Sequence, residues 1–226
     1  RMIHSALQER RVAHLLASSG GHRNVVASYF HFQEHQCLYL VGEFCNDGDL
    51  YTHLTSHTRN GVMDEQSSVH VMTQIFHGID YLHRVLGIAH RDLSLENVLL
   101  HDGECKISDF GLSVDAATRC KARVGKEYYM APEVVAGKTN DPHLVIWSLG
   151  VMWFILLTGT PLVPLASPKV DSFLAFQRCG LTIVFESWGL ASKLSPWAVD
   201  LLSRMLTVNP SKRISLKEIL TRLSSQ

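Results

Sequence analysis

The sequence predicts an α+β fold in which a few short strands come early and helices dominate later. Two observations carry that prediction. Apolar runs of strand length, near 25–32, 37–44, 98–100 and 105–107, all fall in the first half of the chain. Beyond residue 107 the pattern is helical between loops. Of the 226 residues 46% are apolar, enough for a sizeable core, and neither an internal repeat nor a low-complexity stretch interrupts them.

The elements follow in order. Ala6-Leu7, Val12-Ala13 and Leu15-Leu16 recur at helical spacing, and Gly20-Gly21 stops that first helix. The two early strand runs are joined by the polar Gln33-Glu34-His35-Gln36, and Asn46-Asp47-Gly48 is a turn. Asp64 can cap a long helix whose apolar stripe is Val69, Met72, Ile75-Phe76, Ile79 and Leu82, with Gly87 just past its end. Val98–Leu100 and Cys105–Ile107 read as strands around the turn His101-Asp102-Gly103-Glu104. Ser195-Pro196 reads as an N-cap followed by proline at the first helical position, and Ser215-x-x-Glu218 as a capping box.

Composition excludes some function classes. Twenty-one acidic and 21 basic side chains balance, so no global field favours nucleic acid or anionic lipid. Cys37, Cys45, Cys105, Cys120 and Cys179 are odd in number and form no C-x-x-C, which suits reduced thiols in a cytoplasmic or nuclear protein. No charged-then-apolar leader follows Arg1. The uncharged stretch from Leu144 has an apolar part ending at Leu157, short for a span of about 20 residues, so a buried helix is expected. The pairs His31/His35 and His53/His57 have helical metal-site spacing but no zincin motif around them, and are read as surface or partly packed histidines.

Three motifs carry chemistry: His90-Arg91-Asp92-Leu93-Ser94-Leu95-Glu96-Asn97, Asp109-Phe110-Gly111 and Ala131-Pro132-Glu133. Seventeen residues separate Asp92 from Asp109, and 24 separate Asp109 from Glu133. In that order and spacing they resemble the catalytic half of a eukaryotic protein kinase. The resemblance implies ATP and magnesium as cofactors and a protein as substrate. Asp92 would orient or accept the proton of the substrate hydroxyl, and Asn97 and Asp109 would be oxygen ligands of the metal.

Further residues take roles from the same resemblance. Gly42, Glu43 and Cys45 fall at the hinge that holds adenine, with Gly42 at the gate to the back of the pocket, where a bulky side chain is usual. Asp49 and Glu96 fall near the ribose and substrate, Leu99 beneath the adenine ring, and Ser108 beside it. Glu9 lies where kinases keep the glutamate that pairs with a strand lysine. Glu133 and Arg213 are expected to form a buried ion pair. Arg91 suggests control by activation-loop phosphorylation, with Thr118 the remaining acceptor, since Ala122 stands at the commonest position.

The sequence departs from the family in four places. No G-x-G-x-x-G occurs, and no lysine precedes Lys106, so weak ATP binding by this chain alone is expected. Ser94 replaces the lysine of serine/threonine kinases, and Lys126 stands where their threonine does. Hydroxyl and ammonium look exchanged, and Lys126 is assigned a catalytic role in restoring a positive charge near the phosphate. Val145 replaces an aspartate that holds the catalytic loop, which would leave amides short of a partner at ~1–3 kcal/mol.

The implied architecture is a bilobal protein-kinase-like fold, with an incomplete N-terminal lobe at 1–45 and a mostly helical C-terminal lobe at 46–226. The helical layout looks most like the calcium/calmodulin-dependent group, although no EF-hand loop is present. The implied activity is transfer of the ATP γ-phosphate to protein serine or threonine. The alternatives are a pseudokinase acting as scaffold and, less in keeping with Ala131-Pro132-Glu133, a small-molecule phosphotransferase.

Overall fold

A computed structural model describes residues 2–118, 123–137 and 145–225. Helix α1, Met2–Ser18, buries Val12 and Leu16 and ends where Gly20 and Gly21 take left-handed φ of 81° and 70°. Strands β1, Ser28–Glu34, and β2, Cys37–Gly42, form an antiparallel hairpin. Its two-residue turn, His35-Gln36, has both φ values positive, the twist that matches flanking strands. The expected first strand is shorter than its apolar run. Val25 leaves the hairpin, is buried, and bridges in parallel to Ile107. That bridge ties the early part of the chain to the strands that follow.

The segment after β2 lies along strand β4, Val98–His101: Asp47 N donates to Leu100 O at 3.1 Å and Leu100 N to Gly48 O at 2.8 Å. β4 pairs with β5, Glu104–Ile107, as read from the sequence. Helix α2, Leu50–His57, precedes α3, Glu65–Arg84, whose N-cap Asp64 accepts from Ser67 N at 2.9 Å. The apolar stripe of α3 is buried at Met72, Ile75, Phe76, Ile79 and Leu82. Strands β3, Ile88–Ala89, and β6, Val114–Asp115, pair antiparallel and gather the two loops that carry the motifs.

Helices α4, Pro132–Val135, α5, Val145–Thr158, α6, Asp171–Ser187, α7, Pro196–Met205, and α8, Leu216–Leu223, complete the larger lobe. α5 has buried side chains all round, as a central core helix does, and among the described residues no helix is long and apolar enough to cross a membrane. Trp153 on α5 donates to Ser68 Oγ on α3 at 3.0 Å. The N-cap Ser195 and the capping box Ser215/Glu218 form as their local sequence dictates. Cys37, Cys45, Cys105 and Cys179 are free thiols.

Candidate active site

The loop after β3 is held from within. His90 is buried; its Nδ1 accepts from Asp92 N at 3.3 Å, so its Nε2 carries the proton donated to Ser108 O at 2.8 Å. Burial holds that imidazole below its ordinary range and keeps it neutral. Arg91 adopts a left-handed φ of 69°, uncommon for a residue with a side chain. Asn97 Nδ2 donates to Asp92 O at 2.7 Å, and Asn97 O accepts from Ser108 N at 2.9 Å and Ser108 Oγ at 3.0 Å. These bonds tie the loop of Asp92 and Asn97 to Ser108, the chain neighbour of Asp109. Asp109 itself has φ of 60° and receives Gly111 N on Oδ1 at 3.2 Å.

With Val145 in place of the aspartate, two amides of this loop still have protein partners. Tyr129 Oη accepts from Leu95 N at 3.2 Å, and Ser148 Oγ on α5 donates to Tyr129 O at 2.8 Å. Asp92 N and Leu95 N thus both have protein partners. At these two positions the amides are not stranded: His90 takes the one and Tyr129, from the following segment, the other. Val145 lines a cavity of about 80 Å³ with His90, Arg91 and Tyr129. The Tyr129 hydroxyl is driven above its usual range by burial and remains a neutral partner.

The segment 123–130 covers Asp92 closely. Gly125 has φ of 92°, and a Cβ there would lie 3.1 Å from Asp92 Oδ1 and 3.0 Å from Arg91 O. The next residue, Lys126, places Nζ 2.7 Å from Glu96 Oε1 and 3.2 Å from Ser94 Oγ. The two residues read as exchanged in the sequence are therefore in direct contact. Thr118 is exposed, and Ala122 lies outside the described residues.

At the hinge the structure adds contacts that the sequence did not reveal. Glu43 Oε1 lies 2.8 Å from Lys106 Nζ, which also donates to Arg23 O at 3.1 Å. Glu43 Oε2 accepts from Ala27 N at 3.1 Å, and Glu43 N donates to Ala27 O at 2.9 Å. Burial pushes the Glu43 carboxyl up, but the Lys106 and Ala27 hydrogen bonds outweigh it and hold it below the usual range. Cys45 is partly buried, and that burial raises its thiol. Leu99 is partly buried on β4 and bridges to Asp49. Asp49 caps α2, with its carboxylate oxygens accepting from Thr52 N at 2.8 Å and Thr52 Oγ1 at 2.7 Å. That structural task was not part of its expected role.

Behind the hinge a cavity of about 210 Å³ is bounded by Glu9 and Leu16 of α1, Leu40 and Gly42 of β2, and Asp109-Phe110. Gly42 has a packing reason of its own as well: a Cβ there would sit 2.8 Å from Ala27 O. Glu9 is shifted upward by burial and then by the charge of Asp109. The two carboxylates face the same cavity. Below the site, Arg213 and Glu133 form the buried pair read from the sequence, at 2.6 and 3.0 Å.

An aspartate-asparagine-aspartate set at the junction of a strand-bearing and a helical lobe is the plan of the kinase-like class. Residues 2–223 match the model of the protein kinase domain, and the chain belongs to that family. It is 35% identical over 201 residues to an Aurora kinase of Schizosaccharomyces pombe, covering 88% of this chain and 54% of that protein. It is 36% identical over 202 residues to the SNF1-related protein kinase catalytic subunit alpha KIN12 of Arabidopsis thaliana, covering 88% and 38%. Similarity extends to the probable serine/threonine-protein kinase HSL1 of Saccharomyces cerevisiae, 33% identical over 204 residues, 88% of this chain and 13% of that one. The chain thus spans about half or less of the length of these relatives.

Proposed function

We propose that the protein transfers the γ-phosphate of ATP to serine or threonine hydroxyls of a protein substrate. The observation that carries this reading is the hydrogen-bonded chain from Asp92 through Asn97 to Ser108, which ties the loop bearing Asp92 and Asn97 to the segment bearing Asp109. Asn97 uses its amide nitrogen on Asp92 O, which leaves its amide oxygen for a cation, and Asp109 supplies a carboxylate. Two hard oxygens suit magnesium, which keeps waters and takes its remaining ligands from the phosphates. When bound, the metal would neutralise phosphate charge.

Asp92 holds the substrate hydroxyl and receives its proton as the new O–P bond forms. The bond from phosphorus to the bridging oxygen breaks, and ADP departs with that electron pair. Glu43 and Cys45 would meet adenine, Leu99 would lie under it with Ser108 alongside, and Asp49 and Glu96 would lie toward the ribose and the substrate. Gly42 would leave the rear cavity open to bulky adenine substituents.

The test is phosphoamino-acid analysis of a mixed protein substrate after incubation of the full-length protein with magnesium and labelled ATP. Phosphoserine or phosphothreonine that disappears with chelator is expected. Phosphotyrosine alone would move the protein to another class, and absence of label would favour the non-catalytic scaffold.

A further inference from the structure

We infer that Lys126 is the residue that supplies positive charge to the transferring phosphoryl group, and that it does so from the segment covering the site rather than from the loop carrying Asp92. This rests on the kinase reading above and deepens it. Glu9 and Asp109 line one cavity, Asp92 lines another with Lys126, and Glu96 pairs with Lys126; a nucleotide adds more negative charge. Loose phosphoryl transfer is catalysed chiefly by positioned cations, which act strongly where water is excluded.

Two other described cations lie near. Lys106 stands on β5 at the hinge, paired with Glu43 and donating to Arg23 O. Arg91 lines the same cavity as Asp92 and Lys126, from the backbone turn just before Asp92. Lys126 is different in three respects. Its neighbour Gly125 packs against the Asp92 carboxylate itself, at the distance a bare backbone allows. Its ammonium is held over the catalytic loop by Glu96 at 2.7 Å and Ser94 at 3.2 Å. Its side chain remains 36% exposed, so the ammonium sits at the edge of solvent rather than sealed in a core.

Ser94 is fully buried and its hydroxyl contributes no charge. The loop that holds Asp92 and Asn97 therefore brings no cation of its own between them, only Leu93, Ser94, Leu95 and Glu96. Lys126 fills that deficit from outside. It takes up no proton and gives none; it neutralises charge as the bond to the bridging oxygen breaks. A consequence is that the charge of the site depends on the placement of 123–130.

The experiment compares wild type, Lys126→Met, Lys126→Arg and Asp92→Asn in the full-length protein, with kcat and the KM for ATP measured at saturating magnesium. Lys126→Met keeps the apolar stem, and thermal melting checks that each variant folds. The expected result is a loss of about 100-fold in kcat for Lys126→Met with KM for ATP within about three-fold. Lys126→Arg should recover at least about ten-fold of that loss, because it restores the charge; a purely structural role would move melting temperature rather than the kcat–KM split. If Lys126→Met keeps kcat within about three-fold while Asp92→Asn abolishes turnover, the kinase reading stands and this inference is overturned. If wild type shows no Asp92-dependent transfer, both fall together.

Discussion

The Arg213 guanidinium closes on the Glu133 carboxylate through two parallel hydrogen bonds, 80 residues apart in sequence, with the two side chains only 2% and 6% exposed. Its remaining N–H groups reach Thr207 O at 3.0 Å and Val208 O at 3.4 Å, and its plane lies 5.4 Å from the Trp147 ring centre. The fork geometry satisfies both charges in a setting where either alone would be costly. The pair fastens α4, and with it the segment over Asp92, to the base of the helical lobe. Arg213→Ala should cost about 3–5 kcal/mol by urea unfolding, since it strands a buried carboxylate. Arg213→Lys should recover only part of that, because an ammonium cannot form the fork. A loss under about 1 kcal/mol for Arg213→Ala would contradict this account.

Lys106 and Glu43 form the corresponding tie across the hinge, with side chains 11% and 15% exposed. Lys106→Met should destabilise by about 2–3 kcal/mol, the lower side of what a broken buried pair costs. The pH dependence has a definite sign. The folded carboxyl of Glu43 is held below its ordinary 4.5, so its contribution is complete above that value and is lost as pH falls through the lowered one. Lys106→Met should therefore flatten the acid limb of the stability curve. An unchanged acid limb would show that the pair is not formed in solution.

Glu9 carries the opposite sign. Its folded carboxyl is raised above 4.5, first by burial and then by Asp109, so its charged form is held at a cost near neutrality. The fold takes up that proton more readily than the unfolded chain, and wild type gains stability as pH falls through the window above 4.5. Glu9→Gln should raise the melting temperature at pH 7.5 by the equivalent of less than about 1 kcal/mol after solvent screening. The gain should shrink as the pH approaches 5. A Glu9→Gln variant that melts lower at pH 7.5 would argue for a favourable partner at this carboxylate.

Gly42 sits where a Cβ would meet Ala27 O at 2.8 Å, a backbone atom that cannot move without shifting the hydrogen bond to Glu43 N. Gly42→Ala should cost about 1–3 kcal/mol by forced backbone displacement. Larger residues at this position test the open gate only after that cost is measured, because they change the hinge as well as the cavity. Ready acceptance of Gly42→Ala would leave the rear cavity as the sole reason for glycine.

Features written in contiguous residues were legible in the sequence. The Asp64 cap, the Ser215/Glu218 capping box and the apolar stripe of α3 depend on neighbours within a turn or two, and the pattern names them directly. The protein kinase family was legible because the order and spacing of the motifs carrying Asp92, Asn97 and Asp109 constrain it. The Glu133–Arg213 pair came from family resemblance, and the structure places it as expected. What escaped was settled by long-range packing. Nothing near Glu43 in the chain announces Lys106, Gly42 gives no local sign of Ala27 O, and Tyr129 meets Leu95 N only because the fold brings the two together. Asp49 reads equally as a cap or a ligand until Thr52 is seen to occupy both its oxygens.

The central claim is that Asp92 receives the proton of a substrate hydroxyl beside a nucleotide whose magnesium Asn97 and Asp109 would hold. Single-turnover transfer from labelled ATP, with the full-length protein in excess and wild type beside Asp92→Asn, tests it most directly. The account predicts label on a protein hydroxyl that falls by at least about 100-fold in Asp92→Asn while both proteins bind magnesium-ATP equally. Equal transfer by the two proteins would contradict it.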